Sequence, residues 1–141
     1  MRANIIYGPS GSGKSTLAFM AHEINKGSVQ IERDIIRFKV LKLGDWETYH
    51  FNQRTENLVD AYWKHYIIDA HDWGQDIIVS DTLCSKKIRN KAIMLLQDLG
   101  YKVNLHQMQT PLEECIKRDA KRGKMSVGED VIRKQWERIN S

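Results

Sequence analysis

The chain is poor in the residues that would commit it to a disulfide-stapled or metal-stapled scaffold. Among its 141 residues are two cysteines, Cys84 and Cys115, with neither a C-x-x-C pair nor zinc spacing. A disulfide framework is therefore not implied, and reduced thiols are expected. The five histidines also lack metal-ligand spacing. No apolar stretch nears the roughly 18 residues of a membrane span. The N-terminus has one arginine ahead of an apolar strand, which is not the pattern of a secretory leader. Repeats, low-complexity tracts and linkers are missing as well. The remaining composition, 41% hydrophobic and 28% charged, is that of one globular domain. A net charge of +4 leans weakly toward a polyanionic partner.

Against that background one stretch carries chemistry. GPSGSGKST comprises Gly8, Pro9, Ser10, Gly11, Ser12, Gly13, Lys14, Ser15 and Thr16, and it fits G-x-x-x-x-G-K-[ST] without a gap. It follows an apolar run and precedes a helix-compatible segment. Glycines let backbone N–H groups turn inward around an anion, and the following helix adds its positive end. Lys14 is placed to reach β- and γ-phosphates, and the Ser15 hydroxyl to ligate Mg²⁺. Nucleotide binding is the expectation.

The rest of the chain alternates strands with helices. Residues 2–7 read as a buried strand, and 14–26 as a helix ended by Gly27 at its C′ position. Residues 28–31 form a short strand, and Ile35–Leu43 a helix closing at Gly44. Residues 45–54 are irregular. A helix is expected from Thr55 to about Ala70, with Trp63 and Tyr66 in the core. DIIVS, 76–80, is a β-branched run typical of a central parallel strand and ends in Asp81. Ser85–Leu99 is amphipathic, with Ile88, Ala92, Leu95, Leu96 and Leu99 on its apolar face. A fourth strand spans 101–108. Thr110, Pro111 and Glu113 make a capping signature with Pro at N1, opening a helix to about Arg122. Ser126 and Glu129 form a second capping box before a last helix. This alternation predicts a three-layer α/β domain around a parallel sheet, with ligands at the carboxyl ends of the strands.

That rule singles out three further places. Asp34 follows the second strand, with Arg37 one helical turn on. The pair suits a base for an attacking hydroxyl beside a guanidinium for an anionic acceptor, but equally an Asp N-cap with a surface ion pair. Asp81 suits a carboxylate that handles Mg²⁺ through water, or a turn residue that satisfies backbone N–H groups. Arg118 and Arg122 share a helix face and suit neutralisation of a transferring phosphoryl group, although Glu114–Arg118 is also an ordinary i,i+4 pair. The aromatic residues Trp46, Tyr49 and Phe51 read as loop anchors, and Cys84 has no local basic partner.

GPSGSGKST, IERDIIR, IIVSDT and ECIKRDAKRGK occur in this order over nearly the whole chain. Together they resemble the kinase domain of the T-even bacteriophage polynucleotide kinases. The resemblance implies a P-loop kinase with strand order 2-3-1-4 and a helical lid over about residues 111–128. It implies ATP and Mg²⁺ as cofactors, and DNA or RNA 5′-hydroxyl ends as acceptors. Lys14 and Ser15 would hold the donor and its metal, and Asp34 would be the general base. Arg37 would contact the phosphate on the 3′ side of the acceptor nucleotide. Arg122, with Arg118 close by, would contact the donor phosphates. Asp81 would support the active-site arginine and metal. The location expected is cytoplasmic, that of the host if the chain is phage-encoded. The chain stops at Ser141 where the phage enzymes continue into a phosphatase domain, so no 3′-phosphatase activity is implied. Residues 45–75 match only loosely. A P-loop kinase of nucleosides, nucleotides or metabolites and a non-catalytic nucleotide-binding module are the alternatives.

Overall fold

The computed structural model describes residues Met1–Ser141. Four strands, β1 (Arg2–Tyr7), β2 (Ser28–Ile31), β3 (Asp76–Asp81) and β4 (Lys102–Gln107), form one parallel sheet in the order β2-β3-β1-β4. The six helices are α1 (Lys14–Ile24), α2 (Arg33–Ile35), α3 (Gln53–Asp72), α4 (Lys86–Asp98), α5 (Leu112–Ala120) and α6 (Glu129–Ile139). The expected strand order is the observed one. No helix is long and apolar enough to cross a membrane.

Strand alternation divides the sheet into two faces. Ala3, Ile5, Ile31, Ile77 and Val79 join Val59, Trp63 and Ile67 of α3 and Ala92 and Leu96 of α4 in the main core. Ile6 and Ile78 point the other way, onto Ala18 of α1. The same alternation carries past the strand ends. In β3, Asp81 falls on the α3 side with Ile77 and Val79, while Ser80 falls on the α1 side with Ile78. This one-residue offset decides which carboxylate meets the phosphate loop.

Several local expectations are corrected. α1 stops at Ile24, because Asn25 turns out of the helix and its carbonyl accepts the N–H and hydroxyl of Ser28, so Gly27 is not a C′ residue. α2 begins at Arg33 with Glu32 at its N-cap, which places Asp34 inside the first turn and removes the N-cap reading. The helix then widens into a π-helix over Ile36–Val40, with Leu41 N–H donating to the Ile36 carbonyl. α3 starts two residues earlier than expected, capped by the Asn52 side chain on Thr55 N–H. Tyr66 is only partly buried, against the edge of the main core.

On α4, Ile88 is exposed and the adjacent Arg89 is buried. Its guanidinium donates to the carbonyls of Leu83 and Cys84 and lies 4.6 Å over the Tyr7 ring. The strained turn at Leu83 (φ 42°) needs that donor more than the core needs another isoleucine. Neither capping box before α5 or α6 forms. Thr110 gives its hydroxyl to the Ser12 carbonyl and Ser126 gives its own to Asp119, which leaves Pro111 and Gly128 at the N-caps.

Candidate active site

The loop between β1 and α1 calls for glycine at three positions, Gly8, Gly11 and Gly13. Gly11 and Gly13 hold φ of 81° and 93°. A Cβ on Gly11 would sit 2.3 Å from the Cys115 carbonyl oxygen, and one on Gly8 would sit 2.9 Å from both Ser12 Oγ and Met108 Cβ. Three outside contacts seat the loop: Thr110 Oγ donates to the Ser12 carbonyl (2.7 Å), Ser10 N–H donates to Gln135 Oε1 of α6 (2.9 Å), and α5 packs on Gly11. Lys14 turns its ammonium back onto the loop, donating to the carbonyls of Gly8 (2.9 Å) and Pro9 (2.8 Å). Burial lowers its pKa, opposed by the charges of Asp34, Asp81 and Glu32. The Ser12 hydroxyl is buried with no partner.

Across the cleft stands α2. Arg37 donates to Asp34 Oδ1 (2.7 Å) and forks both Glu56 oxygens, Nε to Oε2 at 2.9 Å and Nη2 to Oε1 at 2.6 Å. Its guanidinium lies 5.4 Å from the centre of the Trp46 ring. Burial opposes the Arg37 charge, but the Glu56 and Asp34 carboxylates outweigh it and raise the pKa. The Arg37 hydrogen bonds hold the Glu56 carboxyl below its ordinary range. Tyr49 also donates to Glu56 (2.6 Å), and burial followed by that carboxylate pushes the phenol up to about 12. Trp46 and Tyr49 stack edge-to-face with Phe38 and with each other and so anchor their segment, whereas Phe51 is exposed and anchors nothing.

Asp81 faces inward. Its Oδ1 accepts Arg33 N–H (2.8 Å) and its Oδ2 accepts the Trp63 indole N–H (3.1 Å). The Arg33 guanidinium lies 3.8 Å from Oδ2, 4.5 Å over the Trp63 ring, and 3.1 Å from Asp60. Burial pushes the Asp81 carboxyl up to about 6, against the Arg33 donors. Of the two readings of Asp81, the one that satisfies backbone N–H groups matches this geometry, although the partner lies at the head of α2. Glu32 is the acid that reaches the phosphate loop. Its Oε1 accepts the Ser15 hydroxyl (2.9 Å) and its Oε2 the Ser80 hydroxyl (3.1 Å), and burial raises its pKa.

Arg118 of α5 and Arg122 stand on the third side; α5 ends at Ala120, so Arg122 lies in the turn after the helix and the two do not share the helix face expected of them. Arg118 Nε bonds Glu114 at 3.1 Å, the ordinary i,i+4 pair, and Arg118 Nη1 would lie 3.4 Å from a Cβ on Gly13. Arg122 is half-exposed, 4.0 Å from Asp119. A continuous cleft of about 2050 Å³ is lined by Ser10 through Thr16 and by Asp34, Arg37, Asp81, Arg118 and Arg122. Gly8 and Pro9 do not line it; their carbonyls tether Lys14 from below. The cleft also takes in Glu32, Glu56, Lys134, Gln135 and Arg138, which the motif argument missed. Strand alternation at the end of β2 held a signal for Glu32. The other four follow from tertiary packing alone.

These features fit a phosphate chain. The glycine cradle excludes side chains, Ser12 Oγ is a buried polar atom without a partner, and the Ser15 hydroxyl, backed by the Glu32 carboxylate, is a hard-oxygen donor of the type magnesium takes. A family model described as an AAA domain matches residues 4–141. The chain belongs to the AAA domain family. Among solved structures, this AAA domain resembles a chain of the Pnkp1/Rnl/Hen1 RNA repair complex at 21% identity with a TM-score of 0.83, over 99% of this chain and 44% of that one. It thus spans less than half the length of that neighbour. The Mycobacterium tuberculosis APS kinase CysC, in complex with AMPPNP and APS, matches at 27% identity and TM-score 0.64, over 85% and 69% of the two chains. A gluconokinase from Sinorhizobium meliloti 1021 matches at 17% identity and TM-score 0.61, over 99% and 75%. The AAA domain therefore has a P-loop kinase fold, and with it a nucleotide-binding loop.

Proposed function

We propose that this AAA domain is an ATP-dependent polynucleotide 5′-hydroxyl kinase, of the kind found in T-even bacteriophages. The observation that carries the proposal is the Asp34–Arg37 ion pair at the head of α2, lining the same cleft as Lys14. Asp34 is the carboxylate whose charge acts most strongly on Lys14, which supports reading it as the base beside the donor phosphates. The fold shared with a chain of an RNA repair complex agrees with nucleic-acid ends as acceptors.

In this mechanism Asp34 takes the proton of the acceptor 5′-hydroxyl as its oxygen attacks the γ-phosphorus, and the bond to the β–γ bridging oxygen breaks to release ADP. Lys14 leaves the Gly8 and Pro9 carbonyls for the β- and γ-phosphates. Arg118 and Arg122 neutralise charge on the moving phosphoryl group from residues 111–128, which serve as the lid. Ser15 would hold the magnesium ion, whose charge offsets that of the phosphates. Arg37 binds the phosphate on the 3′ side of the acceptor nucleotide. Asp81 acts through Arg33, which starts α2, instead of through a metal-bound water.

A second reading, a kinase of a small acceptor, draws on one observation: Glu56 already occupies both arms of Arg37, as an acceptor phosphate would. The two separate when the protein, Mg²⁺ and γ-labelled ATP meet a 5′-hydroxyl oligonucleotide, a nucleoside 3′-monophosphate and a free nucleoside. Label on the first two and not the third supports the polynucleotide kinase and the Arg37 role. Label on the nucleoside alone overturns the substrate.

A further inference from the structure

The mechanism leaves Glu32 without a task. We propose that Glu32 is a positioning residue that aims the Ser15 hydroxyl at the divalent cation of the bound nucleotide. The inference rests on the phosphotransferase reading and adds to it a metal-orienting carboxylate just past the carboxyl end of β2.

A serine that ligates a cation gives it a lone pair, and its one O–H must then donate elsewhere. In this chain that proton already has an acceptor, Glu32 Oε1 at 2.9 Å. The second oxygen, Oε2, is fixed by Ser80 Oγ at 3.1 Å. The carboxylate is thus held at two points, and with the hydroxyl proton aimed at it the Ser15 lone pairs are directed elsewhere, free for a cation. An anionic partner behind a ligand fixes its orientation and raises its basicity, and such partners count heavily in metal affinity.

Asp81 does not supply this role. One of its oxygens takes Arg33 N–H and the other takes the Trp63 indole, on the opposite face of β3 from Ser80. The offset between residues 80 and 81 turns Ser80 to Glu32 on the α1 side and Asp81 to the α3 wall. Glu32, which shares the Ser80 side, is the carboxylate that reaches Ser15.

The probe is Mn²⁺, titrated into the intact chain with the non-hydrolysable ATP analogue AMPPNP and followed by the electron paramagnetic resonance of the free ion. Glu32→Gln is expected to weaken Mn²⁺ binding about 10- to 100-fold and to leave AMPPNP binding in EDTA unchanged. Ser15→Ala weakens it too, and Glu32→Gln then adds nothing further, because the carboxylate works through the hydroxyl. Ser80→Ala frees one Glu32 oxygen and shifts affinity the same way by a smaller factor, which decides the matter if Glu32→Gln fails to fold. Wild-type Mn²⁺ affinity in both Glu32→Gln and Ser80→Ala, or additive losses with Ser15→Ala, overturns the inference and leaves the kinase reading standing. Absence of Mn²⁺–AMPPNP binding by the wild-type chain overturns both.

Discussion

Replacing Asp81 with asparagine swaps the buried carboxyl at the end of β3 for a side chain of similar shape that does not titrate. Burial raises this carboxyl from an ordinary 3.8 to about 6, although Arg33 works in the other direction. Between about pH 4 and pH 6 the native state therefore keeps a proton that the unfolded chain has released. Stability falls as pH rises through that window and is level above it. The shift of about two units corresponds to about 3 kcal/mol at 1.36 kcal/mol per unit. That is a large share of the roughly 5–15 kcal/mol that holds a domain folded. With an unfolding entropy of about 2.1 cal/mol/K per residue, 141 residues turn it into about 10 °C of Tm.

The assay is a set of urea and thermal melts of both proteins between pH 4.5 and 7.5, followed by far-ultraviolet circular dichroism. The asparagine amide presents N–H₂ where one carboxylate oxygen accepts a hydrogen bond, which costs stability by a fixed amount at every pH. On top of that offset, the variant should gain about 2 kcal/mol on the wild type between pH 4.5 and 7.5, the part of the full shift that falls inside this range. Glu56, Asp60 and Asp76 are shifted below their ordinary range and lose stability as pH falls, but they do so in both proteins and cancel in the difference. Parallel profiles would refute the reasoning, for they would mean that Arg33 and Trp63 keep the carboxylate ionised throughout.

Asp34→Asn should lower turnover about 10²- to 10⁴-fold with ATP affinity unchanged in equilibrium binding; undiminished turnover removes Asp34 as the base. Arg37→Lys loses the fork on Glu56. It should raise KM for a 3′-phosphorylated acceptor about 10- to 100-fold, the equivalent of a charged hydrogen bond, while KM for ATP stays put in steady-state kinetics. Gly11→Ala and Gly100→Ala form a pair, because both glycines have positive φ but only the first has a backbone carbonyl in the way. Gly100→Ala should cost about 1–2 kcal/mol in melts, and Gly11→Ala distinctly more, with weaker ATP binding.

The fold was legible because its period changes are sharp. DIIVS reads as a strand and the following amphipathic stretch as a helix on pattern alone, and the glycine loop between β1 and α1 has a motif with its own stereochemistry. The failures share a cause. Thr110, Ser126 and Asp34 were weighed as local caps, because a polar residue ahead of a helix ordinarily serves itself. Here the Thr110 hydroxyl serves Ser12, the Ser126 hydroxyl serves Asp119, and Asp34 serves Arg37. Arg89 was invisible for the same reason, since the carbonyls it satisfies belong to a strained turn that no pattern announces. Glu32 lay between two more conspicuous residues, and only the facing of β2 against β3 sets it beside Ser15.

Asp119 gives α5 and α6 a shared mechanical fate. Its buried carboxylate accepts the Ser126 hydroxyl (2.6 Å) and the N–H groups of Val127 and Gly128 (both 3.1 Å), which rivets the connection between the two helices. α5 bears Arg118 and lies on Gly11, and α6 bears Gln135 and holds Ser10. The two helices are therefore tied to each other, and each is also tied to the phosphate loop. The place of the arginine-bearing helix and the shape of the loop are thus set by one connected chain of contacts, from Arg118 through Asp119 and Gln135 to Ser10.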